Sequence, residues 1–162
     1  MEPKSIRVAV LMSRTRQPNA WEDWRFAVAD VTPDDGRFGR LARVLRDDGR
    51  QCLELHPGLE VTLRRDECEG YHLNLSADRP VWFVMWRPEG GAGAGSPPRA
   101  VPEIVTLSYD VAGRLMDAQE RVDSVPLQGD VAAWLAAYTD AHYRPEPKKR
   151  ARPASFRRPD ER

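Results

Sequence analysis

The sequence predicts an α+β protein: an antiparallel, strand-rich sheet or partly closed barrel of about seven to eight strands, with two C-terminal helices. Two observations carry this expectation. Short runs rich in β-branched and aromatic residues follow one another between residues 6 and 108, separated by turn signals such as Asp47-Asp48-Gly49. Apolar residues at helical spacing come only afterwards, over residues 109–120 and 131–142. Strands first and helices last is the order of a sheet covered at one face or end.

Residues 6–12, IRVAVLM, are short and β-branched and read as the first strand. WRFAVADVTP, residues 24–33, alternates and reads as the second, ended by TPDDG. Residues 41–47 and 50–56 read as a hairpin around Asp47-Asp48-Gly49. HPGL, residues 56–59, reads as another turn, followed by a strand over 60–65. After the charged turn RDECE, residues 71–75 alternate as YHLNL and read as a further strand. VWFVMW, residues 81–86, is apolar throughout, the signature of a central strand buried on both faces. Residues 88–99 form a flexible Gly/Pro loop, and VPEIVTLS returns as the last strand. Ser108 is placed to cap a helix over 109–120, in which Gly113 costs about 1 kcal/mol relative to alanine. Val131, Trp134, Leu135, Tyr138 and His142 mark the final helix.

The chain has 162 residues, enough for one domain with its own core. We expect a single globular domain over 1–143 and a disordered basic tail over 144–162. The formal net charge is zero, but the charge is divided. The tail carries eight Lys/Arg and three Asp/Glu, leaving the body at −5. No run of about 18 apolar residues exists, so no membrane span is expected. No secretory signal is legible, and the two cysteines are expected to be reduced thiols in the cytoplasm.

Cys52, His56, Cys68 and His72 have the look of zinc ligands. On strands, residues four apart lie roughly 13 Å apart, whereas ligands sit about 2.0–2.3 Å from one ion. No metal and no cofactor are therefore expected. A register pairing Leu53 with Leu63 and Leu55 with Val61 puts Cys52, Glu54, His56, His72 and Asn74 on a polar outer face. Glu54 and His72 would then be level, a conceivable acid–base couple, but no nucleophile with a fixed base stands beside them. No catalytic residue is assigned. The tryptophans read mainly as core, with Trp82, Val84 and Trp86 sharing a face. Trp21 and Trp24, beside and within a loop, are the aromatic binding candidates, and Glu54, His72 and Asn74 the polar ones. In the tail, Lys148, Lys149, Arg150 and Arg152 can grip a phosphate backbone or an acidic protein surface.

RDECEGYHLNL, VWFVMWR, VTLSYDVAGRLMDAQERVDSVPL and AAWLAAYTDAHY, over roughly residues 5–145, resemble the bacterial family catalogued as domain of unknown function 3305. Cys68 and the long Gly/Pro loop depart from its pattern. The resemblance implies a neighbourhood of molybdenum-containing formate dehydrogenase and its maturation factors. The function expected is thus a cytoplasmic accessory protein that binds a protein partner, with formate dehydrogenase or one of those factors as the partner the resemblance implies. The alternatives are a small nucleic-acid-binding barrel with a basic tail, and an enzyme using Glu54 and His72.

Overall fold

The computed structural model describes residues 4–18, 24–91 and 98–145. Its elements run β1 (Ser5–Arg16), β2 (Trp24–Pro33), β3 (Arg43–Asp47), β4 (Gln51–Thr62), a 3-10 turn (Arg65–Glu67), α1 (Cys68–Ser76), β5 (Val81–Glu89), β6 (Arg99–Thr106), α2 (Tyr109–Asp117), β7 (Arg121–Pro126) and α3 (Gly129–His142). The strands form two antiparallel sheets, ordered β2-β1-β4-β3 and β6-β5-β7. The α+β class and the antiparallel pairing stand. The single barrel does not, since the seven strands of the described residues divide four and three between sheets that do not close.

The sheets face each other across one apolar core. Val8, Val10 and Met12 of β1 meet Trp82, Val84 and Trp86 of β5, with Val28, Val31, Val61, Val105 and Val125 around them. β5 is the central strand expected, because Trp82 to Trp86 are all buried and alternate between the core and the face that α2 approaches. Asp123 of β7 accepts a hydrogen bond from Val28 N at 2.9 Å and ties the two sheets along one side. Gln128 clasps one end, donating to Val31 O at 2.7 Å and accepting from Trp82 Nε1 at 2.9 Å. Beside that clasp α3 closes the end with Val131 and Leu135, and Trp134 packs half-buried against the core.

Four elements differ from the sequence reading. HPGL is not a turn: β4 runs straight through it, with Pro57 and Gly58 standing opposite Ala9 as a bulge. Proline has no N–H to give the ladder, and Gly58 takes the φ of +81° that the extra residue requires. Residues 71–75 are helical, within α1. Cys68, Tyr71 and Asn74 bury one stripe at three-residue spacing, while Leu73 is 42% exposed. Gly70 lets α1 lie against the start of α2, since a Cβ there would stand 2.1 Å from Ser108 Oγ. Residues 121–126 form β7, so VPEIVTLS is not the last strand, and α1 makes three helices rather than two. Pro88, Glu89 and Arg99, assigned to a loop, belong to β5 and β6, and residues 92–97 lie outside the described residues. Ser108 does cap α2, accepting from Val111 N at 3.2 Å.

Candidate functional site

The end of the sandwich opposite α3 is chemically distinct, and the register of the described strands shows why. Cross-strand partners share a face. On β1 the core-facing series Val8, Val10, Met12 continues to Arg14 and Arg16. On β2 the same face runs Val31, Val28, Phe26, Trp24. On the other sheet Trp86 pairs with Arg121. Both inner faces thus change from aliphatic to aromatic and cationic as they leave the core.

The result is a cleft of about 400 Å³ lined by Trp24, Arg25, Phe26, Trp86, Pro88, Pro98 and Arg121. Among the described residues no carboxylate lines it. The Arg14 guanidinium lies 4.6 Å from the centre of the Trp24 ring and that of Arg16 5.9 Å. Arg121 lies 5.6 Å from the centre of Trp86, which meets Phe26 at 5.9 Å. Arg14 is positioned by a 2.7 Å bond from Nη1 to Pro98 O. The Arg14 Nε and Trp86 Nε1 donors are buried without a hydrogen-bond acceptor. Such donors cost about 1–3 kcal/mol each. A cleft lined mainly by aromatic side chains with a few charged groups has the composition of a ligand site.

Behind Phe26 lies a polar group reached by a second cavity of only about 20 Å³. Arg99 donates to Glu54 Oε1 from Nη2 at 2.5 Å and from Nε at 3.2 Å. His56 Nε2 is 2.7 Å from the same oxygen, off the line of a good hydrogen bond. Burial pushes the His56 pKa below its ordinary 6.5, outweighing the pull of Glu54, so the ring is neutral at pH 7. Burial likewise raises the Cys52 thiol. Glu54 is engaged on one side by a cation and on the other by a buried ring, and works as a link between β4 and β6.

Of the residues singled out from sequence, Trp24 is in the mouth and Glu54 behind it. His72 is elsewhere, on α1, with its ring 5.4 Å from Tyr143. Glu54 and His72 therefore share neither a contact nor a cavity, and the polar outer face that was to join them does not exist. The bulge at Pro57-Gly58 explains this: Cys52, Glu54 and His56 pair with Arg14, Met12 and Val10 and point inward, and beyond the bulge Leu59 and Val61 take over that face. Asn74 is not available to a ligand. It is 2% exposed, donates to Val81 O and Leu107 O at 2.9 Å each, and accepts from Val81 N at 3.0 Å. Trp21, Lys148, Lys149, Arg150 and Arg152 lie outside the described residues.

The cysteine–histidine set is divided between β4 and α1. Among the described residues no three His, Cys, Asp or Glu side chains gather as metal ligands. The strand-spacing argument does not apply to Cys68 and His72, which are one helical turn apart; Cys68 is instead buried, with Sγ 3.8 Å from Arg64 O. Arg14, Arg16, Phe26, Trp86 and Arg121 were missed as site residues. Their signal was present in the even-numbered positions of residues 8–16, where apolar side chains give way to two arginines.

No helix among the described residues is long and apolar enough to cross a membrane. No curated protein and no solved structure matches the chain. A family model does: it matches residues 7–152, and the chain belongs to the family described as "Protein of unknown function (DUF3305)".

Proposed function

We propose that this protein is a non-enzymatic accessory domain that works by holding an anionic group at the Trp24/Trp86 mouth, in the service of a partner protein. The observation that carries the reading is the lining of that mouth: aromatic rings, prolines and arginines, with no carboxylate, histidine, cysteine or hydroxyl nucleophile among the described residues. Catalysis by proton transfer or covalent attack needs such a group within reach of the substrate. Binding needs only what is there.

Molybdenum-containing formate dehydrogenase, or one of its maturation factors, is the partner that the family resemblance favours. The basic tail, with Lys148, Lys149, Arg150 and Arg152, would add long-range attraction to an acidic surface. The reading is tested by affinity capture of the tagged full chain from its own host. Recovery of formate dehydrogenase or a maturation factor with the wild type, and its depletion with Arg16→Glu/Arg121→Glu, is the expected result. Recovery of neither, or equal recovery by both chains, would count against it. The nucleic-acid alternative predicts instead a complex that weakens steeply with salt and is lost on removing residues 144–162.

A further inference from the structure

We infer that the group held at the mouth is a heteroaromatic phosphate, a nucleotide-class ligand, with its ring against the indole walls and its phosphate on the arginines. The inference rests on the reading of the mouth as a binding site and specifies its occupant.

Three features of the cleft select this chemistry. The first is the pairing of flat rings with guanidinium groups on both walls. Trp24 with Arg14 and Arg16 comes from one sheet, Trp86 with Arg121 from the other. Guanidinium groups take phosphate oxygens two at a time, and indole faces take flat heteroaromatic rings in tolerant stacks. The second is charge. Among the described residues Arg16 and Arg121 form no ion pair, whereas Arg37, Arg46, Arg87 and Arg114 do. Cations with no ion pair among the described residues, on a body that is otherwise net acidic, suit about two negative charges, those of one phosphate monoester. The third is size and an unused donor. A space of about 400 Å³ suits one compact ligand rather than an extended chain. Trp86, on the cleft wall, has an indole Nε1 with no acceptor among the described residues.

An acidic peptide would satisfy the arginines but leave the ring faces without a flat partner. Inorganic phosphate would do the same. A nucleoside would use the rings alone. The same heteroaromatic phosphate can come free or as the end of a single strand, and the two are separable by experiment.

Full-length protein is titrated with AMP and GMP, followed by calorimetry and tryptophan fluorescence. Adenosine, inorganic phosphate, a short single-stranded oligonucleotide and a tetraglutamate peptide are run in parallel. The expected result is saturable binding of the mononucleotides, about ten-fold or more tighter than phosphate or adenosine alone. Arg16→Gln/Arg121→Gln, both at exposed positions, should weaken it by about ten-fold with an unchanged melting temperature. If the oligonucleotide binds more tightly than the mononucleotides and is sensitive to the same two substitutions, the ligand is a strand end and the chemistry stands. Tightest binding of the peptide would overturn the inference while leaving the mouth a binding site. No binding of any nucleotide at about 1 mM, or binding indifferent to the double substitution, would overturn it outright. Capture of a maturation partner is a separate measurement and would survive either failure.

Discussion

At the scale of single residues, two buried polar side chains have distinct structural tasks. Asn74 uses one carboxamide to join α1 to the start of β5 and to Leu107 before α2. Removing it leaves three backbone groups without their partner inside the protein. Asn74→Ala should cost about 3 kcal/mol in urea unfolding while leaving binding at the distant mouth unchanged. His56 makes stability depend on pH. Its folded-state pKa lies below 6.5 because burial disfavours the charged ring. The unfolded chain therefore binds more protons between the two values. Stability from this residue is fully present above about pH 6.5 and falls as the pH drops toward the folded-state pKa. The loss in urea midpoint between pH 7.5 and 5.5 should be larger for the wild type than for His56→Gln. An equal loss would show that His56 is not the group responsible. Tyr71 has no such effect near neutrality, since burial pushes its pKa up to about 12.

At the scale of elements, the legibility of the sequence depended on whether a pattern was set locally. β2 is found over the residues its alternation marks. β5 is recognised by its unbroken apolar run, and α2 by its serine cap and helical stripe. Two errors came from tertiary context. Tyr71 to Leu75 alternate like a strand, but Cys68, Tyr71 and Leu75 also fit a helical stripe, and the Gly70–Ser108 approach decides for the helix. The bulge at Pro57-Gly58 reverses which side chains of β4 face inward, so a reading that took it as a turn placed Glu54 and His56 on the wrong surface. Both elements make predictions. Gly70→Ala should destabilise by about 1–3 kcal/mol, because its methyl group would overlap the buried Ser108 side chain. Gly58→Ala has open space around its Cβ, so its cost of about 1–2 kcal/mol would come only from the positive φ. A double substitution at these sites, which lie in separate elements, should lose the sum of the two.

For the molecule as a whole, the two sheets make a sandwich with unlike ends. One is closed by Gln128 and the Val131–Leu135 side of α3; at the other the inner faces turn cationic and aromatic. The first end holds the fold together, and the second offers groups that the fold itself does not use. That division was half legible. The tryptophans were recognisable as inward-facing, but core and mouth lie on one continuous face, and only the pairing of Trp86 with Arg121 and of Trp24 with Arg16 shows where one becomes the other.

The mouth is tested most directly by the indole N–H resonances of the five tryptophans in a two-dimensional proton–nitrogen spectrum, recorded while AMP and, separately, tetraglutamate are added. The account predicts that at least one of these anions shifts the Trp24 and Trp86 signals. Trp82, whose N–H is held by Gln128 at the closed end, and Trp134 should remain in place. Trp24 and Trp86 signals that stay still with both anions, or that move no more than those of Trp82 and Trp134, would contradict it.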